Sequence, residues 1–241
     1  MTRLLLAMRS RLWLVGAVLA TASVPAAHAQ TSPGSPTGAA EDRAMLQAAL
    51  RHRAIGSDSA KVVIYFFSDY ACPDCAQFVA QRMDSLVGAL VTPGAARIVH
   101  ASFLIPRLLR GWQGATAAFC IAALTDVATF DEAARRIFAE QGIWATARDA
   151  AAPLRAIARD VGADPVRFDD CVIREVMAPL ILADIRAGFS ARVTGTPRLV
   201  LLSAAALADR TRDPFDNAVS FPGNAPLSEL RAAVARLSRT P

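Results

Sequence analysis

The chain has 241 residues, 54% of them hydrophobic and 20% charged, which is enough for one good core and a small second one without disulfides to compensate for size. Its formal charge of +5 comes from 26 basic and 21 acidic residues. The Arg residues are scattered among Asp and Glu with no run of like charge, which excludes a nucleic-acid footprint. Arg3, Arg9 and Arg11 make a basic front end, and Leu12 to Val24 is almost wholly apolar. Ala27-His28-Ala29 then supplies a small-x-small cleavage pattern. Together these predict a signal peptide over residues 1–29, cut before Gln30, and an exported, periplasmic protein. The alternative is a retained anchor, but the apolar run falls short of the about 20 residues a comfortable span needs. Loss of the three Arg would lower the net charge to +2.

Gln30 to Ala40 is rich in Pro, Gly, Ser and Thr and reads as a flexible leader. Glu41 to Ile55 predicts a helix, with Ala44, Met45, Leu46, Ala49 and Leu50 on one side, and Gly56-Ser57-Asp58 breaks it. Lys61 to Phe67 is a run of β-branched and aromatic residues that suits a strand buried on both faces. Ser68 to Ala71 reads as a turn, and Cys72-Pro73-Asp74-Cys75 follows. Ala76 to Val91 predicts a helix with Phe78, Val79, Met83, Leu86, Val87 and Leu90 on its inner side, ended by Thr92-Pro93-Gly94. Arg97 to Ile105 predicts a second strand. From Leu108 to Gly188 the pattern is helical: Gln113 to Leu124, then a helix capped by Thr129 with Glu132 and running to Glu140, then Ala151 to Val161. Asp164 caps a fourth, with Pro165 at its first position, which Pro179 kinks or divides on the way to Ala187. Strands are predicted again at Arg198 to Leu202 and Asn217 to Phe221, separated by a long loop, and a last helix at Pro226 to Leu237. The order β, α, β, helical insert, β, β, α implies an α/β fold: a mixed sheet with helices on its faces and a module inserted on a core of its own.

The Cys72–Cys75 pair sits where a strand hands over to a helix. Unpaired backbone N–H groups and the positive end of the helix dipole favour a thiolate on the first cysteine. Cys75, one turn further in, is the more shielded resolving partner. Such a pair carries disulfide exchange: a substrate thiolate attacks Cys72 in the disulfide, Cys75 leaves, and a second thiol releases Cys72. Pro73 limits the flexibility of the ring and offers no N–H. Asp74 opposes a very low Cys72 pKa, because a nearby carboxylate disfavours a thiolate. This predicts a milder oxidant than the same site with His there. Two rivals are a metal site, for which only His52 and His100 would add ligands beyond the leader, and a purely structural disulfide. Cys120 and Cys171, 51 residues apart in the helical region, read either as two buried thiols or as a structural disulfide joining two helices, which an oxidising compartment favours; a relay to Cys72 is a further alternative. Gly195-Thr196-Pro197 by itself reads as a turn before a strand, with Thr196 held extended. No glycine-rich phosphate loop or metal–carboxylate cluster points to a nucleotide-binding or hydrolytic enzyme.

Phe67-Ser68-Asp69-Tyr70-Ala71-Cys72-Pro73-Asp74-Cys75, with Val193-Thr194-Gly195-Thr196-Pro197 downstream, resembles the DsbA-like branch of the thioredoxin superfamily. Phe168-Asp169-Asp170-Cys171 and the helical module add to the likeness, which covers residues 56 to 238 apart from the loop at 203–216. The resemblance implies a thioredoxin-like fold with an inserted all-helical module. It divides the chain into a first thioredoxin-like part over residues 60–107, the module over 108–190 and a second thioredoxin-like part over 191–241, preceded by leader and N-terminal helix over 30–59. It also implies that Pro197 is a cis-proline lying against the cysteine pair, with Thr196 beside Cys72 offering backbone hydrogen bonds to a substrate peptide. Members of the branch act in the bacterial cell envelope on reduced, unfolded exported proteins and are reoxidised by a quinone-linked membrane partner. Some carry a second, non-catalytic disulfide in the module, which Cys120 and Cys171 could supply. Where the branch usually has His or Tyr, this chain has Asp74.

The resulting expectation is an oxidase of protein thiols without a cofactor, and a monomer, with a dimer through the N-terminal helix as the alternative. The other functions weighed are a reductase or isomerase of the same fold, and a non-enzymatic peptide- or copper-binding module. Met83 and Met177, the obvious extra copper ligands, read instead as core fillers.

Overall fold

The computed structural model describes residues 36–239. The predicted signal peptide and its cleavage site lie outside them. The described residues run through helix α1 (Pro36–His52), strands β1 (Ala54–Ile55) and β2 (Val62–Ser68), and helix α2 (Pro73–Leu86). A π-helical turn (Val87–Val91) and strand β3 (Ala96–Ser102) come next. The helical region comprises α3 (Gly111–Leu124), α4 (Val127–Ala139), α5 (Gln141–Trp144), α6 (Ala151–Asp160), α7 (Pro165–Ile173) and α8 (Ala178–Ser190). Strand β4 (Arg198–Ser203), α9 (Ala204–Ala208), strand β5 (Val219–Pro222) and α10 (Leu227–Leu237) complete the fold.

The strands form one sheet in the order β1-β3-β2-β4-β5. Only β2 and β3 pair in parallel, joined by the crossover through α2. The central strand β2 is buried on both sides, as its unbroken apolar run requires. Ile64 and Phe66 face the main core, while Phe67 faces a smaller one with Phe103 and Val200. The antiparallel register of β2 with β4 sets Phe67 opposite Arg198, so the ends of the two strands that lead to Cys72 and from Pro197 lie side by side.

The main core is continuous. It takes in Met45 of α1, Met83 of α2, Phe119 of α3, Phe130 of α4, Ile157 of α6, Phe168 of α7, Ile181 of α8 and Leu230 of α10. The helical module therefore does not keep a core to itself: its inner faces are closed by the sheet and by α1. Met83 and Met177 are both fully buried. Among the described residues no helix is long and apolar enough to cross a membrane.

Several local expectations are corrected. Helix α1 begins inside the stretch read as leader and ends at His52, because Ala54 and Ile55 pair with Val99 and Ile98 as an edge strand. The second helix starts at Pro73 rather than Ala76 and ends as a π-helical turn. The cap of α4 is Asp126, whose carboxylate accepts from the Thr129 N–H at 2.8 Å, so the helix begins one turn before the predicted Thr129–Glu132 box. Asp164 caps α7 as expected, accepting from the Arg167 N–H at 2.8 Å. The division of the fourth helix falls ahead of Pro179, at Glu175 with φ of 51°, and Pro179 takes a place in the first turn of α8 where its missing N–H costs nothing. The long loop after β4 contains α9 and brings Phe215 onto Tyr65 and Phe67, closing the smaller core.

One buried ion pair ties the two parts of the chain. Arg53 donates to Asp184 of α8 at 2.5 Å and to the His100 carbonyl at 3.1 Å, and Asp184 also accepts from the Ser102 N–H at 2.9 Å. Burial raises the Asp184 pKa and Arg53 opposes that rise. A buried carboxylate needs this cation and these donors, so truncating either partner leaves an uncompensated buried charge.

Candidate active site

The turn from β2 to α2 is built around Asp69, which is fully buried. Its carboxylate accepts from the Ala71 N–H and the Ile105 N–H, both at 2.8 Å, and its carbonyl accepts from the Cys72 N–H at 2.9 Å. Burial raises its pKa, and the two N–H donors pull the other way. A Cβ on Gly111 would strike this carboxylate, and one on Gly114 would come within 2.6 Å of Tyr70 and 2.8 Å of Trp144. Glycine at these two positions lets α3 approach the turn directly. Tyr70 itself is buried and stacks on Phe138 with ring centres 4.5 Å apart.

Cys72 is the N-cap of α2, with an extended backbone at φ −85° and ψ 119°, and Pro73 follows in the first turn. Its carbonyl accepts from the N–H groups of Cys75 and Ala76, each at 3.1 Å. The two cysteines are free thiols. Cys72 keeps 6% of its surface exposed and Cys75 none, so of the two sulfurs only that of Cys72 is within reach of another molecule. The Cys72 thiol is lowered to about 6. The largest cause is the hydrogen bond from the Cys75 thiol; burial opposes it, and the Thr196 side chain and the N–H groups of Cys75 and Asp74 support it. Burial pushes the Cys75 thiol far up, and the bond it donates to Cys72 adds to this. The environments thus push the two cysteines apart: a thiolate at neutral pH on the outside, a thiol on the inside.

Thr196-Pro197, more than 120 residues downstream, completes the site. The peptide bond between them is cis. The Thr196 carbonyl lies 3.7 Å from Cys72 Sγ. The Thr196 hydroxyl is buried without a hydrogen-bond partner among the described residues, and its nearness favours the thiolate of both cysteines. Pro197 packs under Gly223 and beside Phe78. Asp74 is exposed and, with Gln77, Gln81, Arg82, Thr196 and Asn224, lines a cleft of about 580 Å³ between α2 and the Thr196-Pro197 turn. All six residues singled out in the two motifs, Cys72, Pro73, Asp74, Cys75, Thr196 and Pro197, therefore meet in one place. The Asp74 peptide N–H favours the Cys72 thiolate, while the Asp74 carboxylate is open to solvent.

Cys120 and Cys171 are elsewhere. They are bonded to each other, joining α3 to α7 inside the main core with Cα atoms 6.0 Å apart. His100 is buried edge-on against Phe66 and Phe130, and burial lowers its pKa to about 4. Among the described residues no three of His, Cys, Asp or Glu are grouped to hold a metal ion.

Sequence reasoning missed Gln141. From the start of α5 its side-chain amide donates to the Tyr70 carbonyl at 2.6 Å and to the Cys72 carbonyl at 3.0 Å. A glutamine between two helices carries no local signal of such a contact, which spans about 70 residues of chain.

A family model described as thioredoxin matches residues 49–215, more than half of the chain. No curated protein sequence matches it. Among solved structures, oxidised BdbD from Bacillus subtilis is similar with a TM-score of 0.63 and 15% identity, covering 78% of this chain and 94% of that one. Wolbachia pipientis alpha-DsbA1 is similar with a TM-score of 0.61 and 13% identity over 77% and 90% of the two chains. Pseudomonas aeruginosa DsbA2 is similar with a TM-score of 0.56 and 20% identity over 77% and 93%. The chain thus belongs to the thioredoxin family, and its fold is that of the DsbA-like thiol:disulfide oxidoreductases, a thioredoxin-like sheet with an inserted helical module.

Proposed function

We propose that this chain is a periplasmic oxidase of protein thiols. The observation that carries the proposal is the separation of the two cysteines: an outer Cys72 lowered to about 6 beside an inner, fully buried Cys75. In the oxidised protein, a substrate thiolate attacks Cys72 Sγ. The Cys72–Cys75 bond breaks, and Cys75 leaves and takes a proton. A second substrate thiolate attacks the substrate sulfur of the mixed disulfide and expels Cys72 as a stable thiolate. Two electrons pass from the substrate to the cysteine pair. A good leaving group at Cys72 makes the oxidised pair the stronger oxidant. Thr196 and Pro197 would hold an extended substrate strand against Cys72, with the Thr196 main chain as its hydrogen-bonding edge. Substrates would be reduced, unfolded exported proteins, and a quinone-linked membrane protein would remove the electrons. The Cys120–Cys171 disulfide would be structural, and the protein would act without a cofactor and as a monomer.

The equilibrium reduction potential of the Cys72–Cys75 pair against a glutathione buffer tests this. A Cys72 near 6 lies between the thioredoxin value of about 7 and the DsbA value of about 3.5. The potential is accordingly expected between about −270 and −120 mV, above the thioredoxin value but in the half of the range nearer to it. A potential as reducing as that of thioredoxin would replace the oxidase with a dedicated reductase kept reduced by a partner.

A further inference from the structure

The turn that carries Cys72 has its hydrogen bonds divided between two sources. Its N–H groups are served from within: Asp69 accepts from Ala71 and Cys72. Two of its carbonyls, those of Tyr70 and Cys72, accept from one side chain of the helical module, Gln141, the Cys72 carbonyl in addition to the Cys75 and Ala76 N–H groups. A primary amide has two donor hydrogens, and here each has its own carbonyl. Gln141 is itself firmly placed. It opens α5, and three residues on Trp144 is fully buried, donating its indole N–H to the Ile137 carbonyl at 2.7 Å. The same indole closes on Gly114, which touches Tyr70. Arg110, just ahead of α3, donates to the Ala147 carbonyl at 3.0 Å and holds the far side of α5.

We infer that Gln141 is a positioning residue for the redox centre, the group through which the helical module holds the Tyr70 and Cys72 carbonyls and keeps Cys72 in its helix-capping geometry. The inference rests on the reading of Cys72–Cys75 as the exchanging pair. Pro73 has no N–H to help fix the turn, so Gln141 adds an outside donor to the bonds that the Cys75 and Ala76 N–H groups make to the Cys72 carbonyl, and ties this peptide to the Tyr70 carbonyl ahead of it. An amide donor at the Cys72 carbonyl also adds partial positive charge to the residue that carries the sulfur, which favours the thiolate. The module thereby does more than cover the sheet: it sets the reactivity of a sulfur that it does not touch.

The test is a titration of the Cys72 thiolate, followed by its ultraviolet absorbance in the reduced full-length protein, in three variants. Gln141→Leu removes the donors and is expected to raise the midpoint by about half a unit to one unit from the native value of about 6. Gln141→Glu sets a carboxylate against two carbonyl oxygens and is expected to raise it further. Gln141→Lys keeps N–H donors, on a side chain one bond longer and with a positive charge, and is expected to leave the midpoint in place or lower it. A merely structural role would lower the melting temperature of all three and leave the Leu midpoint at the native value, with the Glu and Lys midpoints displaced to opposite sides of it by charge alone. Coincident midpoints in the Glu and Lys variants overturn the inference, even if the Leu variant fails to fold. The titration needs no substrate, so a protein that behaves as expected here yet oxidises no dithiol would sink the proposed function and leave the role of Gln141 standing.

Discussion

The chain holds two cysteine pairs in contrasting settings. Cys72 and Cys75 are three residues apart, at the open end of a helix, the outer one keeping 6% of its surface accessible and its pKa lowered to about 6. Cys120 and Cys171 are 51 residues apart, bonded, and enclosed by the apolar side chains of α3 and α7. A tight ring at a helix end constrains little chain, so its bond adds little stability and is open to exchange. A wide loop closed inside a core restricts the unfolded chain strongly and offers no sulfur for attack. The same covalent bond thus serves chemistry in one place and stability in the other, according to what surrounds it.

The sharpest way to break the comparison is to remove the outer sulfur. Cys72→Ser and Cys75→Ser both lose the exchangeable disulfide and are expected to reduce the oxidation of a dithiol peptide to the uncatalysed rate. With a disulfide-bonded peptide as partner, however, Cys75→Ser should trap a mixed disulfide through Cys72, releasing the peptide's other thiol, visible by mass spectrometry. A mixed disulfide trapped on Cys75 in the Cys72→Ser variant as readily as on Cys72 in the Cys75→Ser variant would contradict the assigned order of attack. Next in size, replacing Cys120 and Cys171 by Ala is expected to cost about 4 kcal/mol in denaturant unfolding, from closure of a 51-residue loop. Peptide oxidation at 25 °C should be unchanged in that variant; a lost oxidation rate in a folded variant would point to a relay between the pairs.

The pH dependence sharpens the contrast further. In the reduced protein the folded-state pKa of Cys72 lies near 6, below its ordinary value of about 9. A thiol whose pKa is depressed by folding contributes stability that is complete above the unfolded value and is lost as pH falls through the folded one. The reduced form should therefore gain stability relative to the oxidised form between about pH 6 and pH 9, by a few kcal/mol. Unfolding of both forms across that range checks it, and a gap that stays flat would refute it. The smallest effect is expected from Asp74→His. It exchanges an exposed carboxylate for a group that favours the thiolate, and should lower the Cys72 midpoint by some tenths of a unit to about one unit. Coincident midpoints would show that the Asp74 side chain is electrically silent.

The parts of the fold that were legible in the sequence are those whose cause is local. The apolar run of β2, the proline and cysteines at the start of α2, and the Asp164-Pro165 cap each carry their reason within a few residues. Thr196 and Pro197 became legible through resemblance alone; their own neighbourhood reads as a turn. Gln141, Asp69 and the Arg53–Asp184 pair were invisible for one physical reason. Each is a polar group satisfied by a partner that tertiary packing supplies: Arg53 meets Asp184 across 131 positions, and Asp69 meets Ile105 across 36. The misplaced cap of α4 is a competition between neighbours, in which Asp126 reached the free N–H of Thr129 before Thr129 could serve as a cap itself.

The pairing of β2 with β4 has a consequence for how the protein comes into being. The chain leaves the ribosome, and in this proposal crosses the membrane, with its N-terminal part first. Cys72 and Cys75 therefore emerge long before Thr196, and before the strand that must lie antiparallel against β2. Until that late segment arrives, the cysteines are an ordinary thiol pair on an unfinished sheet, short of one of the groups that lower the outer thiol. The protein is in this sense its own early client: a nascent chain with exposed thiols, in an oxidising space, whose power to oxidise others appears only once the last strands close.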